Sequence, residues 1–322
     1  MSADLATYRD CRALVFGASG FIGRWVASAL CERGAHVVLA VRDPHASMRV
    51  FVEHLIAGDV RRVDLAKTGE AAKLVRAVKA DIVFNLAGYG VDHEERDQNL
   101  ARRLNTTLVR EIIDAIEPNE RWRGQCLVHV GSALEFGTVG GDLSHPWHCA
   151  PTTLYGRTKF DGSLQLREVA EHRRMRALCA RLFTVYGPGE HTGRLLPTLV
   201  ENAANSGIIQ LTAGTQRRDF TYVEDAADAL LRLGLVDHEF APRALNVATG
   251  ELHSVREFVE RSASVLGIAA ERLTFGALPT RVEEMQHDPV SIASLRSLVG
   301  WAPNTSIDDG VRRTLAFERG HR

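Results

Sequence analysis

The stretch Ala-Leu-Val-Phe-Gly-Ala-Ser-Gly-Phe-Ile-Gly, residues 13–23, decides the fold class. Its first four residues are apolar and predict a short strand. The apolar residues that recur from Ile22 to Leu30 predict a helix, which Gly34 ends. A strand, a glycine turn and a helix in this order are typical of the first unit of a doubly wound sheet. We therefore predict an α/β protein with a Rossmann-type, doubly wound parallel sheet.

The glycine turn in this stretch predicts a dinucleotide site. Its spacing is Gly-x-x-Gly-x-x-Gly rather than the more usual Gly-x-Gly-x-x-Gly. Glycines let backbone N–H groups approach a pyrophosphate at the positive end of the helix. A turn that only needs glycine is the alternative, but its place at the first βα junction favours nucleotide binding. The residues predicted to contact the cofactor here are Gly17, Ser19, Gly20, Phe21, Ile22 and Gly23.

The end of the second predicted strand, 36–41, indicates which cofactor is bound. In a dinucleotide fold this end faces the adenosine ribose, where an acid accepts hydrogen bonds from the 2′-hydroxyl of NAD. Here Val41 is followed by Arg42, which can pair with a 2′-phosphate and favours NADPH. Asp43 follows at once, so a shift of one residue would favour NAD instead.

Three further apolar segments predict the remaining strands of the sheet. The third strand, 60–64, ends at Asp64 and Leu65, which we expect near the adenine. The fourth, from Ile82, runs into a turn of small residues that lets a flat cofactor ring lie close to the backbone. The cofactor contacts predicted in this turn are Leu86, Ala87 and Gly88.

The fifth predicted strand, 126–130, leads to a serine, Ser132. The carboxyl end of a strand in a parallel sheet faces the ligand crevice. A long helix is predicted before this strand, from Leu100 to Ile116. The polar Asn105 within it either faces solvent or bonds to a neighbouring strand.

Tyr155 and Lys159 are four residues apart, which places them on one face of a helix. A free phenol has a pKa of about 10, and a nearby ammonium lowers it toward the working range of an acid–base catalyst. This spacing also occurs by chance on surface helices. It gains meaning here from the dinucleotide features that precede it.

Composition excludes several classes of function. The chain has 322 residues, a net charge of −1 and 45% hydrophobic residues, so it shows no basic footprint for nucleic acid. No apolar run approaches the roughly 18 residues of a membrane span. Five scattered cysteines without a Cys-x-x-Cys pair indicate reduced thiols in the cytoplasm. Thirteen histidines show no ligand spacing, so we predict no metal site.

Together these features resemble the extended short-chain dehydrogenase/reductase family of nucleotide-sugar epimerases, dehydratases and ketoreductases. The resemblance runs from Gly17 almost to the C-terminus. A narrower likeness lies in Val38-Leu39-Ala40-Val41-Arg42-Asp43, in Gly214-Thr215-Gln216-Arg217-Arg218-Asp219-Phe220, and in Phe275-Gly276-Ala277-Leu278 with Glu284-Met285 shortly after. In these stretches the chain looks most like the ketoreductases that make CDP-abequose and CDP-paratose. The motifs that carry the family resemblance are the glycine turn, Asn85-Leu86-Ala87-Gly88, Ser132, Tyr155-x-x-x-Lys159, Arg181-Leu182-Phe183-Thr184-Val185-Tyr186-Gly187-Pro188-Gly189, Arg218-Asp219-Phe220-x-Tyr222-Val223-x-Asp225, Asn246-Val247 and Gly300-Trp301.

The resemblance implies a catalytic set and a domain organisation. Tyr155 would exchange the proton, Lys159 would hold the nicotinamide ribose, and Ser132 would bond the reacting oxygen. Residues 1–183 would form the dinucleotide domain. Residues 184–322 would form a smaller α/β substrate domain for a nucleotide sugar, with elements of the two interleaved. The implied substrate contacts are Ser132, Thr184, His191, Arg218 and Arg281, and the implied assembly is a homodimer.

One departure from the family pattern separates its reactions. Sugar-nucleotide 4,6-dehydratases carry an Asp–Glu pair after the Ser or Thr, and this chain has Ala133 and Leu134 there. Neither residue can move a proton. Glu135 follows one place later and is expected to face away from the crevice.

Three functions remain open from the sequence. The first is NADPH-dependent reduction of the 4-keto group of a nucleotide-linked deoxysugar. The second is an NAD-dependent 4-epimerase, which uses the same Ser–Tyr–Lys set. The third is a dinucleotide-binding sensor without catalysis, which has no need of that set.

Overall fold

The structure, a computed structural model, describes residues 8–91, 94–237, 243–279 and 286–320. Within these ranges the chain alternates strands and helices through its first half and then forms shorter pairs of strands. The strands are β1 (Arg12–Phe16), β2 (His36–Val41), β3 (Asp59–Arg62), β4 (Ile82–Asn85), β5 (Leu127–Ser132), β6 (Ala177–Leu182), β7 (Thr184–Tyr186), β8 (Ile209–Leu211), β9 (Arg217–Arg218), β10 (Phe220–Tyr222), β11 (Ala244–Val247), β12 (His253–Ser254) and β13 (Leu273–Phe275). The α-helices are α1 (Phe21–Glu32), α2 (Pro44–Glu53), α3 (Glu70–Val78), α4 (Gln98–Arg102), α5 (Leu108–Ala115), α6 (Leu154–His172), α7 (Leu195–Ala203), α8 (Val223–Gly234), α9 (Val255–Leu266), α10 (Ala293–Val299) and α11 (Ile307–Gly320).

Seven of these strands form one parallel sheet in the order β11-β6-β5-β4-β1-β2-β3. The chain runs outward from β1 to β3, returns to β4 beside β1, and then runs outward the other way. The strand order therefore reverses between β1 and β4, and a crevice opens there at the carboxyl ends of the strands. This arrangement confirms the predicted doubly wound parallel sheet.

Helices cover both faces of the sheet, and the alternation of side chains along β1 shows why. Ala13 and Val15 pack into the core that α1, α2 and α8 complete. Leu14 and Phe16 face the other way, into the core beneath α3, α5 and α6. All four are fully buried, as expected for a central strand of a parallel sheet.

The predicted helix over 100–116 is not one regular helix. It begins as α4, passes through a π-helical turn over Arg103–Thr107, and continues as α5. The third strand also differs from its prediction, because it spans Asp59–Arg62 and ends before Asp64.

Residues after 184 return to the central sheet. The edge strand β11 pairs with β6, so that Ala244 lies beside Cys179 and Val247 beside Leu182. Helix α8 covers one face of the same sheet. The three two-stranded pairs of the described residues, β7 with β10, β8 with β13 and β9 with β12, lie in the second half.

Candidate functional site

The glycine turn between β1 and α1 is built from backbone packed on backbone. Gly17 has a φ of +74°, which L-residues with side chains rarely adopt, and a Cβ there would lie 3.0 Å from the N of Ala87. The approach of Gly17 to Ala87 shows that the turn after β4 lies against the glycine turn. Within the glycine turn itself, a Cβ on Gly23 would collide with the Gly17 carbonyl.

The N-terminus of α1 fits a phosphate group. Its N-cap residue, Gly20, offers no side-chain cap, and the first turn of the helix carries no acid. The free N–H groups and the helix dipole there favour an anion. Arg24 adds a guanidinium beside the turn, because it donates to the carbonyls of Ser19, at 2.9 Å, and Gly20, at 3.1 Å. Arg24 was not predicted from the sequence, since its contact depends on the shape of the turn.

The two residues after β2, Arg42 and Asp43, differ in their contacts. Arg42 is exposed, and no described residue forms a hydrogen bond or ion pair with it. Asp43 is the N-cap of α2 and accepts a hydrogen bond from the N of Ala46 at 3.1 Å. The Asp43 carboxylate is therefore engaged by its own helix.

The two residues predicted near the adenine lie just beyond β3. Both are half-buried. Asp64 accepts a bond from the N of Ala66 at 3.2 Å, and Leu65 packs against the core beneath α3. They lie at the carboxyl edge of the sheet, outside the strand in which Asp64 was predicted.

The small-residue turn after β4 lies against the predicted catalytic residues. A Cβ placed on Gly88 would be 3.2 Å from Lys159 Nζ, and one on Gly90 would be 3.4 Å from the Tyr155 ring. Leu86 is half-buried and Ala87 is buried. A larger side chain at Gly88 or Gly90 would press against Lys159 or Tyr155.

Ser132, Tyr155 and Lys159 converge at the carboxyl end of β5. Ser132 is the last residue of β5, and its side chain hydrogen-bonds Tyr155, which favours the phenolate form. Thr153 caps α6, the helix that carries Tyr155 and Lys159, by accepting from the N of Gly156 at 3.0 Å. Lys159 Nζ lies 6.0 Å from the centre of the Tyr155 ring and donates to the Val130 carbonyl at 3.0 Å.

The pKa of Tyr155 moves in the direction opposite to our expectation. Burial raises the pKa of this phenol, and the Glu135 carboxylate raises it further, against a smaller lowering by the bond to Ser132. Burial also lowers the pKa of the Lys159 ammonium. The phenol therefore keeps its proton at neutral pH, which suits a proton donor.

Asn105 occupies the π-helical turn and joins it to the site. It is fully buried and bonds both backbone groups of Tyr89, with its Oδ1 accepting at 3.0 Å and its Nδ2 donating at 2.7 Å. Its Nδ2 also donates to Thr158 Oγ1 at 2.9 Å, one residue before Lys159. The structure excludes the solvent-facing interpretation of Asn105, and the bonds of this side chain go to the turn after β4 and to α6 rather than to a strand.

The predicted substrate residues are spread along the second half of the chain. Thr184 begins β7 and is half-buried, His191 is exposed, and Arg218 is a half-buried residue of β9. Arg281 lies outside the described residues.

The loop before α7 contains a charged residue whose field acts on Tyr155. Arg194, the N-cap of α7, lowers the pKa of Tyr155 by its charge, against the larger effect of burial. Its Nε lies 3.6 Å from Glu190, whose side chain is only 8% exposed. Burial raises the pKa of the Glu190 carboxyl to about 7. Sequence reasoning chose His191 from this loop and missed both residues, which carry no motif.

In the part of the chain that the structure describes, no helix is long and apolar enough to cross a membrane, and no group of His, Cys, Asp and Glu side chains could hold a metal ion.

Comparisons with known proteins agree with this geometry. The model of the NAD dependent epimerase/dehydratase family matches residues 13–248. The chain is similar to dTDP-6-deoxy-L-talose 4-dehydrogenase (NAD(P)(+)) of Kitasatospora kifunensis, with 27% identity over 94% of this chain and 93% of the relative. It is also similar to CDP-abequose synthase of Salmonella muenchen, with 27% identity over 47% of this chain and 50% of that one. The crystal structure of UDP-glucuronic acid 4-epimerase from Bacillus cereus in complex with NAD has the same fold, with a TM-score of 0.79 and 21% identity over 96% of this chain and 99% of that chain.

Proposed function

The chain belongs to the NAD-dependent epimerase/dehydratase family, and from this premise we propose that it uses NADPH to reduce the 4-keto group of a nucleotide-linked deoxysugar. The family consists of nucleotide-sugar enzymes of the extended short-chain dehydrogenase/reductase type. The proposal concerns the reaction, the cofactor and the substrate class.

The observation that carries the proposal is the short 3-10 turn after Ser132. Its first two residues, Ala133 and Leu134, are aliphatic, so neither can act as the acid or base of a dehydration. Glu135, the third, is fully buried and paired with Arg181, whose Nε lies 2.7 Å away. The one carboxylate of this turn is thus directed away from substrate, which leaves a site suited to a simple proton and hydride exchange.

The catalytic set suits the direction of reduction. The nicotinamide would supply hydride to the C4 ketone, and the oxygen that becomes negative would then need a proton. Tyr155 holds that proton, since burial keeps its phenol neutral. Ser132 Oγ accepts from the N of Leu134 at 3.2 Å, and its hydroxyl, which bonds Tyr155 in this structure, would donate to the reacting oxygen of a bound substrate. Lys159 would hold the ribose of the nicotinamide.

The similarity to the Kitasatospora dehydrogenase supports this substrate class. Its name describes oxidation at C4 of a nucleotide-linked 6-deoxysugar, the reverse of the reaction proposed here. That relative is named for both NAD and NADP. The exposed Arg42 and the helix-bound Asp43 favour NADPH in this chain. Five free cysteines favour a cytoplasmic enzyme.

A 4-epimerase that retains NAD is the second candidate. It is favoured by the likeness in fold to an NAD-bound 4-epimerase. Both reactions use Ser132, Tyr155 and Lys159, so the trio does not separate them.

The mass of the products and the oxidation of added NADPH distinguish the reductase from the epimerase. We would incubate the purified protein with CDP-, GDP-, dTDP- and UDP-linked hexoses and with their 4-keto-6-deoxy or 4-keto-3,6-dideoxy derivatives, and follow products by mass. We expect NADPH oxidation with the keto sugars only. Loss of one water from an intact hexose would overturn the proposal, and isomerisation at constant mass without added NADPH would identify the epimerase.

A further inference from the structure

Glu135 lies directly behind the catalytic residues and is fully buried. Its Oε1 accepts a hydrogen bond from the N of Ser132 at 2.9 Å. Its Oε2 accepts from Ser163 Oγ at 2.9 Å and from Arg181 Nε at 2.7 Å. One carboxylate thus joins the end of β5, the catalytic helix α6 and the strand β6.

The position of Ser163 gives these bonds a consequence for the reaction. Ser163 lies one helical turn beyond Lys159, on the same face of α6. Through Glu135, the strand that carries Ser132 is therefore tied to the helix that carries Tyr155 and Lys159. A small displacement between these two elements would change the distance between the groups that must meet one substrate oxygen.

The charge of Glu135 is compensated within the protein. Arg181 is fully buried, and its guanidinium lies 4.9 Å from the Phe136 ring and 5.5 Å from the Trp147 ring. Its Nη1 also donates to the Pro146 carbonyl. The titratable groups that face the Glu135 carboxylate are Tyr155 and Lys159 of α6, Cys179 and Arg181 of β6, and Cys149.

We propose that Glu135 is a positioning residue of the reaction, whose carboxylate holds Ser132, the catalytic helix and Arg181 in register. It touches neither substrate nor cofactor and acts through the residues that do. The inference rests on the proposed redox role of Ser132, Tyr155 and Lys159, whichever sugar is used. The same charge helps Lys159 to keep its proton, because it opposes the lowering of the pKa that burial causes.

Three variants separate the positioning role of the Glu135 carboxylate from the effect of its charge. Ser163→Ala removes the bond from Glu135 to the helix, together with a contact of 3.2 Å between Ser163 Oγ and Cys179 Sγ, and leaves the buried ion pair intact. Glu135→Asp keeps the charge but shortens the side chain by one methylene. Glu135→Gln removes the charge. The matched control is Glu111→Gln, which breaks another well-buried pair, with Arg103 at 2.7 Å and both side chains 12% exposed.

The first measurement is turnover of dTDP-4-keto-6-deoxyglucose with NADPH. We expect Ser163→Ala and Glu135→Asp to lower kcat on the order of tenfold with little change in KM, because alignment matters most in the transition state. Glu111→Gln should lower the melting temperature without this loss of kcat. Wild-type kcat in both Ser163→Ala and Glu135→Asp would overturn the proposal.

The second measurement is NADPH affinity between pH 6.5 and 9, which needs no sugar. In Glu135→Gln, Lys159 should lose its proton at lower pH, so affinity should match wild type at pH 6.5 and fall on the order of tenfold below it at pH 9. Glu135→Asp and Glu111→Gln should follow the wild-type profile. If no variant changes the profile, Glu135 is only structural.

If the wild type binds NADPH but fails to reduce the keto sugar, the proposed function fails and this profile still decides the role of Glu135. If Glu135→Gln does not fold, the kcat of Ser163→Ala decides.

Discussion

The hydroxyl of Tyr155 can be removed without disturbing the fold around it. Tyr155→Phe keeps the ring against Gly90, so the protein should fold and bind NADPH as before. Turnover should fall by about 10²–10⁴-fold, the usual contribution of general acid catalysis. Steady-state kinetics beside a melting curve tests this, and near-normal turnover in a folded variant would make Tyr155 a structural residue.

Glu190 should make stability depend on pH. Burial raises its pKa from 4.5 to about 7 in the folded state, so the unfolded state releases this proton first as pH rises. Ionisation therefore destabilises the fold between about pH 4.5 and 7, by about 3 kcal/mol at about 1.4 kcal/mol per pKa unit. Glu190→Gln cannot ionise and should gain stability relative to wild type between pH 5 and 8, measured by urea unfolding. The exposed Glu201→Gln is the control, and an unchanged difference across this range would contradict the prediction.

Among single residues, the sequence predicts best those whose positions follow from their spacing along a helix or from the end of a strand. Tyr155, Lys159 and Ser132 meet as predicted, because helical period and strand ends determine where they lie. Arg24 and Glu190 were missed, since the contacts of Arg24 depend on the shape of the glycine turn and the burial of Glu190 depends on tertiary packing. The predicted lowering of the Tyr155 pKa was also wrong. Burial raises this pKa, and the extent of burial depends on tertiary packing.

Among the elements, we propose that the junction between β2 and α2 determines cofactor preference. Arg42→Ala should weaken NADPH binding on the order of tenfold, the typical worth of a charge-assisted hydrogen bond, and leave NADH binding nearly unchanged. Fluorescence titration with each cofactor measures this. Arg49→Ala is the matched control, because Arg49 is an exposed residue of α2 that pairs with Glu53 at 2.6 Å. Equal effects on both cofactors would remove the basis for NADPH preference.

The elements themselves were largely predictable, with one instructive exception. The apolar period from Leu100 to Ile116 indicated a helix but could not show its π-helical turn. That turn is stabilised by bonds from Asn105 to Tyr89 and Thr158, which are distant in sequence. Hydrophobic period reports the face that a helix buries, whereas a local change in winding depends on partners elsewhere in the chain.

For the whole molecule, we predict a homodimer formed through the outer faces of α5 and α6. Phe160 of α6 is half-buried and lies outside the hydrophobic cores of the described residues. Light scattering should give about twice the 35.4 kDa of one chain. Phe160→Glu should shift the mass to one chain, whereas Met48→Glu, on the opposite side of the sheet, should not. A single-chain mass for the wild type at micromolar concentration would contradict this.

The return of the chain to its first sheet as β11 also determines when folding can finish. On a ribosome, β6 emerges more than sixty residues before the strand that covers its edge. Every residue of β6 is buried in the finished protein, so the nascent chain carries an open, apolar strand edge for several seconds of synthesis. A gene shortened at residue 183 would make this exposure permanent, and we expect its product to appear in inclusion bodies. Extension to residue 250 should restore β11 and reduce that aggregation, which fractionation of expressing cells can measure.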